Sequence, residues 1–173
     1  METLKAIFTR QSVRSYTTEQ ISTIELETLL KAAKAAPIGR GKFDEVHLTV
    51  LQNKGMIEKI TEFITHLVGN PESKPFYGAP TVIIVSCLPE SNLMYANAAC
   101  MVENMAIAAT DLGLGSVYLW GFIQRLYKNP SLVAEIGLPE GFVIVSALAV
   151  GHSISTLAER DIPDEKVGVN FLL

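Results

Sequence analysis

Charge is scarce in this chain. Asp, Glu, Lys and Arg make up 18% of its 173 residues, and they balance to −4. There is no basic stripe or tail, which excludes a nucleic-acid surface, since that needs clustered Lys and Arg against phosphate. Cysteine is scarcer still. Cys87 and Cys100 stand apart in apolar surroundings, which rules out a disulfide framework and reads as buried free thiols in a reducing compartment. His47, His66 and His152 share no metal-ligand spacing, and HExxH and CxxC are both missing, so no metal site is expected. Neither GxGxxG nor GxxxxGK[ST] occurs, which removes a Rossmann fingerprint and a P-loop. No Ser/His/Asp set lies at a recognisable spacing. Long hydrophobic runs are absent too. The most apolar region, residues 93–112, is broken by Asn97, Glu103, Asn104 and Asp111, whereas a membrane span needs about 20 mostly apolar residues. The opening METLKAIFTR carries Glu2 and no unbroken apolar core, unlike a signal peptide. The expectation is a cytoplasmic protein with no membrane or nucleic-acid partner.

What the chain does have is apolar residues, at 49%. Its length suits one domain, residues 1–173, with a real core. The apolar excess points to a large subunit interface, hence a homodimer. Periodicity predicts helices over 2–9, 23–36, 54–67, 92–112 and around 123–136. The fourth is small or apolar nearly all round, so it is expected to be central and buried. Strands are expected at HLTVLQ (47–52), TVIIVSC (81–87), residues 116–119 and FVIVSALAV (142–150). The second and fourth are continuous apolar runs that call for burial on both faces. With no βαβ repetition, the order reads as an α+β sandwich, a mixed or antiparallel central sheet flanked by helices. The apolar end VGVNFLL is expected to dock, with a partner subunit as one host.

Three segments carry candidate chemistry. In RQSVRSY, Arg10 and Arg14 flank Ser12. If the segment is helical, the two guanidinium groups share a face and repel by a few tenths of a kcal/mol, and a phosphate dianion between them relieves this. The alternative is a solvated basic turn with Ser12 as an N-cap. In APIGRGK (36–42), Gly39 and Gly41 let backbone amides approach a planar ligand, with Arg40 and Lys42 adding charge; otherwise this is simply the loop after a helix. In SVYLWGF (116–122), Trp120 and Gly121 at a strand end pair an aromatic with a bare backbone N–H, which suits a ring with acceptor atoms; the other reading is core or interface packing. Asn97, Glu103 and Asn104 must find partners inside an apolar helix, a ligand edge being the sharper option for Asn97. Cys87, ending a buried strand, reads as inert. An anion site and a ring site with little acid–base machinery suit an enzyme whose cofactor performs the chemistry.

Taken together, RQSVRSY after a short helix, the AAP-IG loop, APTVIIV, ENMAIAATDLGLGSVYLWGF and ALAVGH resemble the nitroreductase family of flavin enzymes over nearly the whole chain. The resemblance implies an intertwined homodimer with FMN bound at the interface. It implies that Arg10, Ser12 and Arg14, with Gln11 between them, hold the phosphate and ribityl chain. Pro37, Ile38 and Gly39, extended by Arg40 and Gly41, would line the ring or ribityl. Tyr118, Trp120 and Gly121 would lie along the ring, with the Gly121 amide near flavin N5. Asn97 becomes a ring-edge contact, and Arg160 and Lys166 become candidates for a further phosphate contact. No catalytic side chain is implied, because flavin N5 does the chemistry. Two departures stand out. RGKFDEVH replaces the Asn and Gln-Pro-Trp of many members, so a cation near the ring would raise the flavin potential. Trp120 replaces a smaller or acidic residue, which narrows the pocket.

The expected function is therefore an FMN-dependent oxidoreductase. It would take hydride from NAD(P)H and reduce nitroaromatic, quinone or related acceptors in a ping-pong cycle. The alternatives are a flavin-binding storage or sensor protein with little turnover and, third, a dimeric structural protein without flavin.

Overall fold

TVIIVSC forms the centre of the molecule. In the computed structural model, which describes residues 2–173 without the Asp164 side chain, this segment is β2 (Thr81–Cys87), buried at every position. It pairs on one side with β1 (Val46–Leu51) and on the other with β4 (Val143–Gly151), and β3 (Gly115–Leu119) completes the order β1-β2-β4-β3. Every pairing is antiparallel, which resolves the mixed-or-antiparallel expectation. A bulge interrupts the β2–β4 register between Val85 and Ser86.

Alternation along the strands feeds two cores. Val82 and Ile84 enter one and Ile83 and Val85 the other. The first is closed by α3 (Lys54–Val68) through Ile60 and Ile64, and by Phe122, Ile123 and Leu126. The second is closed by α2 (Thr23–Lys34) and α4 (Leu93–Asp111) through Leu29, Ala33, Met101, Val102 and Met105. Each such fully buried aliphatic side chain stabilises the fold by about 1.5–3 kcal/mol. Helices on both faces explain why an antiparallel strand reads as an unbroken apolar run. The α+β sandwich is as expected.

Local chemistry sets the helix bounds. At α2, the Ser22 hydroxyl accepts from the Glu25 N–H (3.2 Å) and the Glu25 carboxylate accepts from the Ser22 N–H (2.7 Å). This is a capping box that satisfies two otherwise orphaned donors. α2 ends at Lys34, two residues short of the sequence expectation, since Pro37 turns the chain. The helix expected around 123–136 is two pieces, α5 (Ile123–Leu126) and α6 (Pro130–Glu135). Pro130 cannot continue a helix but starts one well, and Asn129 caps the new start by accepting from the Leu132 N–H (3.1 Å).

Two expectations need correction. RQSVRSY is not a helical turn: α1 (Thr3–Thr9) ends before it, and no helix starts at Ser12. α4 is not buried all round, because Tyr95, Ala96, Ala99 and Glu103 are exposed along one stripe. The apolar tail leaves Phe171, Leu172 and Leu173 exposed on its own chain, so of the hosts expected for it this chain is not one, and the partner subunit stands as the expectation. Among the described residues, no helix is long and apolar enough to cross a membrane.

Candidate active site

The segment after α1 runs as an added edge beside β3. Val13 N–H donates to the Ser116 carbonyl (2.9 Å), and Thr17 N–H donates to that of His152 (2.9 Å). Ser12 bridges to Ser116 and Tyr16 to Ser153. The segment makes only isolated bridges and does not keep strict strand alternation: Val13 and Tyr16 are buried while Ser12, Arg14 and Ser15 are exposed. The buried Tyr16 hydroxyl donates to the Val13 carbonyl (2.8 Å). Its pKa is pushed well up by burial, partly offset by the nearby Arg14 cation.

This geometry also dissolves the repulsion argument. In extended chain, four residues span about 13 Å, and the two arginines diverge. Arg10 pairs with Glu103 of α4 at 3.3 Å. The Arg14 guanidinium lies 5.8 Å from the centroid of the Tyr77 ring, a cation–π contact.

The loop after α2 is pinned to α4. Gly39 N–H donates to Asn97 Oδ1 (2.9 Å), so Asn97, expected at a ring edge, holds this loop. Asn104 donates to the Ala32 carbonyl (3.1 Å), so each polar interruption of α4 has a protein partner. Arg40 takes a left-handed φ of 60°, uncommon outside glycine. Lys42 sits between Glu45 and Glu90, and its pKa is raised first by its hydrogen bond to Glu45. Its charge is thus neutralised locally, and the cation expected from this loop is Arg40 alone.

Pro37 and Ile38 precede this turn, Pro37 exposed and Ile38 buried, and Gln11 is half-buried on the edge segment. Cys87 lies beside the turn, in the wall of a cavity of about 60 Å³ shared with Glu45 and Asn97. Burial, reinforced by the Glu45 carboxylate, pushes its thiol up to about 11. Since the thiolate is the nucleophile, Cys87 is expected to stay unmodified by iodoacetamide at pH 8 in the native protein. Peptide mass spectrometry checks this, and labelling that becomes rapid only on unfolding is the expected pattern.

At the end of β3, Trp120 stacks on Tyr95 of α4 with centroids 6.1 Å apart and planes 19° from parallel. Tyr118, Trp120 and Gly121 line a cleft of about 300 Å³ together with Tyr77, Lys74 and Arg125. Arg125 Nη1 donates to the Gly121 carbonyl (3.1 Å). A Cβ at Gly121 would meet nothing nearer than that guanidinium, at 3.7 Å, so the backbone there is open. Among the described residues, no Asp or Glu lines the cleft.

The two distal candidates sit elsewhere. Arg160 caps the end of α1, its Nε donating to the Phe8 carbonyl (3.1 Å) and its Nη2 to that of Ile7 (3.3 Å). Lys166 is exposed in a short turn of the tail. Lys74, Tyr77, Tyr95 and Arg125 escaped the sequence reading. Arg125 was within reach of it, being four residues past Gly121 at a helix start. Lys74 and Tyr77 lie in a loop whose approach to Trp120 only the fold creates. Among the described residues, no group of three or more His, Cys, Asp or Glu is placed to hold a metal.

Comparison with known proteins fits this arrangement. Residues 7–152 match the Nitroreductase family profile. An Archaeoglobus fulgidus protein, provisionally named NADH dehydrogenase/NAD(P)H nitroreductase, is 31% identical over 87% of this chain and 85% of its own length. The FMN reductase (NADPH) of Bacillus subtilis is 27% identical over 87% of this chain and 65% of its own. A crystal structure of a nitroreductase with bound FMN from Bacteroides fragilis superposes with a TM-score of 0.85. It shares 28% identity and covers 99% of this chain and 100% of that one.

Proposed function

The chain belongs to the nitroreductase family, and from that premise we propose that it is an FMN-dependent oxidoreductase acting with NAD(P)H as a single FMN-binding domain. One observation carries the reading: exposed Ser12 and Arg14 adjoin, through Tyr77, an aromatic cleft lined by cations and, among the described residues, no carboxylate. The residues present fit the cofactor. Ser12 and Arg14 supply a hydroxyl and a guanidinium for the phosphate and ribityl chain. Gly121, open on its Cβ side, supplies a bare amide toward the ring. Lys74, Arg125 and Arg40 supply positive charge, which favours the reduced, more anionic cofactor. When bound, FMN takes hydride from NAD(P)H and returns electrons to an acceptor. The two substrates share one cleft in turn, in a ping-pong cycle, with nitroaromatics and quinones as acceptors and solvent as the proton source.

The working form is a homodimer. Leu4, Ile7 and Phe8 on α1, the stripe on α4 and the tail from Val167 to Leu173 leave apolar surface exposed, more than a monomer normally carries. A storage or sensor protein is the second reading, favoured by the bulky Trp120, which lines the cleft and stacks on Tyr95.

The purified protein is expected to be yellow, or to take up FMN stoichiometrically, to elute as a dimer, and to oxidise NAD(P)H when menadione is supplied. Absorption spectra, light scattering and steady-state assays check these in turn. Failure to bind FMN sinks the whole reading, while tight FMN with negligible turnover leaves the storage role.

A further inference from the structure

The cleft beside Trp120 has a charge bias that the family resemblance does not specify. Lys74 and Arg125 stand on its walls, and Arg14 lies just behind Tyr77. Among the described residues, no carboxylate pairs with Lys74 or Arg125, and none lines the cleft. Arg125 is the lining cation bonded at the ring-site glycine. One of its five N–H donors anchors it to the Gly121 carbonyl, leaving the others for a ligand. Tyr118 and Trp120 supply exposed aromatic surface next to it. A guanidinium fork beside an aromatic shelf matches a flat ring carrying a carboxylate or sulfonate.

We propose that Arg125 makes this enzyme select anionic aromatic acceptors. The inference rests on the oxidoreductase reading and names the substrate class of that same cleft. For a nitroaromatic acid, the nitro group takes two electrons and two protons, becoming nitroso with loss of water. NAD(P)H gives a hydride and leaves as NAD(P)+, and solvent gives the second proton. Arg125 binds the carboxylate and takes no part in the electron transfer, so it is a specificity residue.

The test compares 4-nitrobenzoate with 4-nitrobenzamide, near-isosteres that differ by one charge. NAD(P)H is itself anionic, so acceptors are mixed with holoenzyme already reduced by dithionite, and reoxidation is followed against acceptor concentration. Equilibrium affinity for the oxidised holoenzyme is read independently, from the perturbed FMN band. At low ionic strength the benzoate is expected to bind about tenfold more tightly than the amide, as one partly exposed charge-assisted contact allows. Arg125→Ala should abolish that preference, read as the ratio of benzoate to amide affinity, whatever it does to both acceptors in common. Arg125→Gln, which keeps a donor toward Gly121 without the charge, should do the same. Arg125→Lys should retain part of it.

Equal affinities in the native protein overturn the proposal, as does a preference that survives in Arg125→Gln or one that is lost only in Lys74→Ala. The parent reading fails separately. If no FMN binds, quenching of Trp120, the chain's single tryptophan, still reports the cleft's charge preference. FMN bound with no such preference overturns this inference alone.

Discussion

Replacing Gly115 with alanine is expected to lower folding stability by about 1–3 kcal/mol and to weaken FMN binding more than about tenfold. The cause is steric. A Cβ at Gly115 would lie 2.8 Å from Val13 Cγ1 and 3.0 Å from both Cβ and Cγ2 of that residue. Val13 has no room to retreat, because its N–H is bonded to Ser116 and its carbonyl accepts the buried Tyr16 hydroxyl. The added methyl must therefore lift the strand-like edge off β3, and Ser12 and Arg14 move with it. Urea denaturation measures the first effect and FMN titration the second. Val13→Ala in the same chain removes both γ-methyl contacts and should restore part of each, which a general loss of folding competence would not do. Undisturbed FMN affinity in the single variant would detach this edge from the site.

That edge also marks where the sequence was legible and where it misled. β2 announced itself, because seven apolar or small residues in a row have few other uses. The same held for α3, whose apolar face fits one helical period from Lys54 to Val68. RQSVRSY could not be read in this way. It is too short and too irregular to distinguish an edge segment from a turn, and its backbone hydrogen bonds go to Ser116 and Ile154, more than 100 residues downstream. The repulsion expected between the two arginines does not hold. They are not forced together; the fold sends one to α4 and the other to Tyr77.

Asn97 teaches a similar lesson. Its polarity within an apolar helix was visible, and its need for a partner was certain. That the partner is the Gly39 amide depends on how α2 packs on α4. Lys42 was visible as a cation, yet Glu45 and Glu90 cancel its charge. Residue type is written in the sequence, but net local charge is a property of the fold. The cleft at Trp120 shows this from the other side, since Lys74 comes from a loop and Arg125 from the start of an expected helix, and only the fold brings them to one cleft.

Arg14→Ala is expected to weaken FMN binding by about 1.5–3 kcal/mol, the range for a lost hydrogen bond to a charged group, which corresponds to about 10–150-fold. Its folding cost should be small. Arg14 is exposed, and its contacts in the protein are one long bond to the Ser12 carbonyl (3.4 Å) and the Tyr77 ring. Arg160→Ala should behave in the opposite way. That side chain holds two carbonyls at the end of α1, where a cation is favourable, so its loss should lower stability by about 1 kcal/mol and leave FMN affinity within a few-fold. Isothermal titration with FMN and thermal denaturation, run on both variants, separate binding from scaffolding. Arg14→Lys keeps the charge but loses the planar fork, so it should recover only part of the affinity. If Arg160→Ala instead weakens FMN as much as Arg14→Ala at unchanged stability, Arg160 joins the phosphate site and its capping bonds must exchange when FMN binds. If Arg14→Ala binds FMN normally, the phosphate is held by Arg10 and Ser12, and the Arg10–Glu103 pair has to open to hold it.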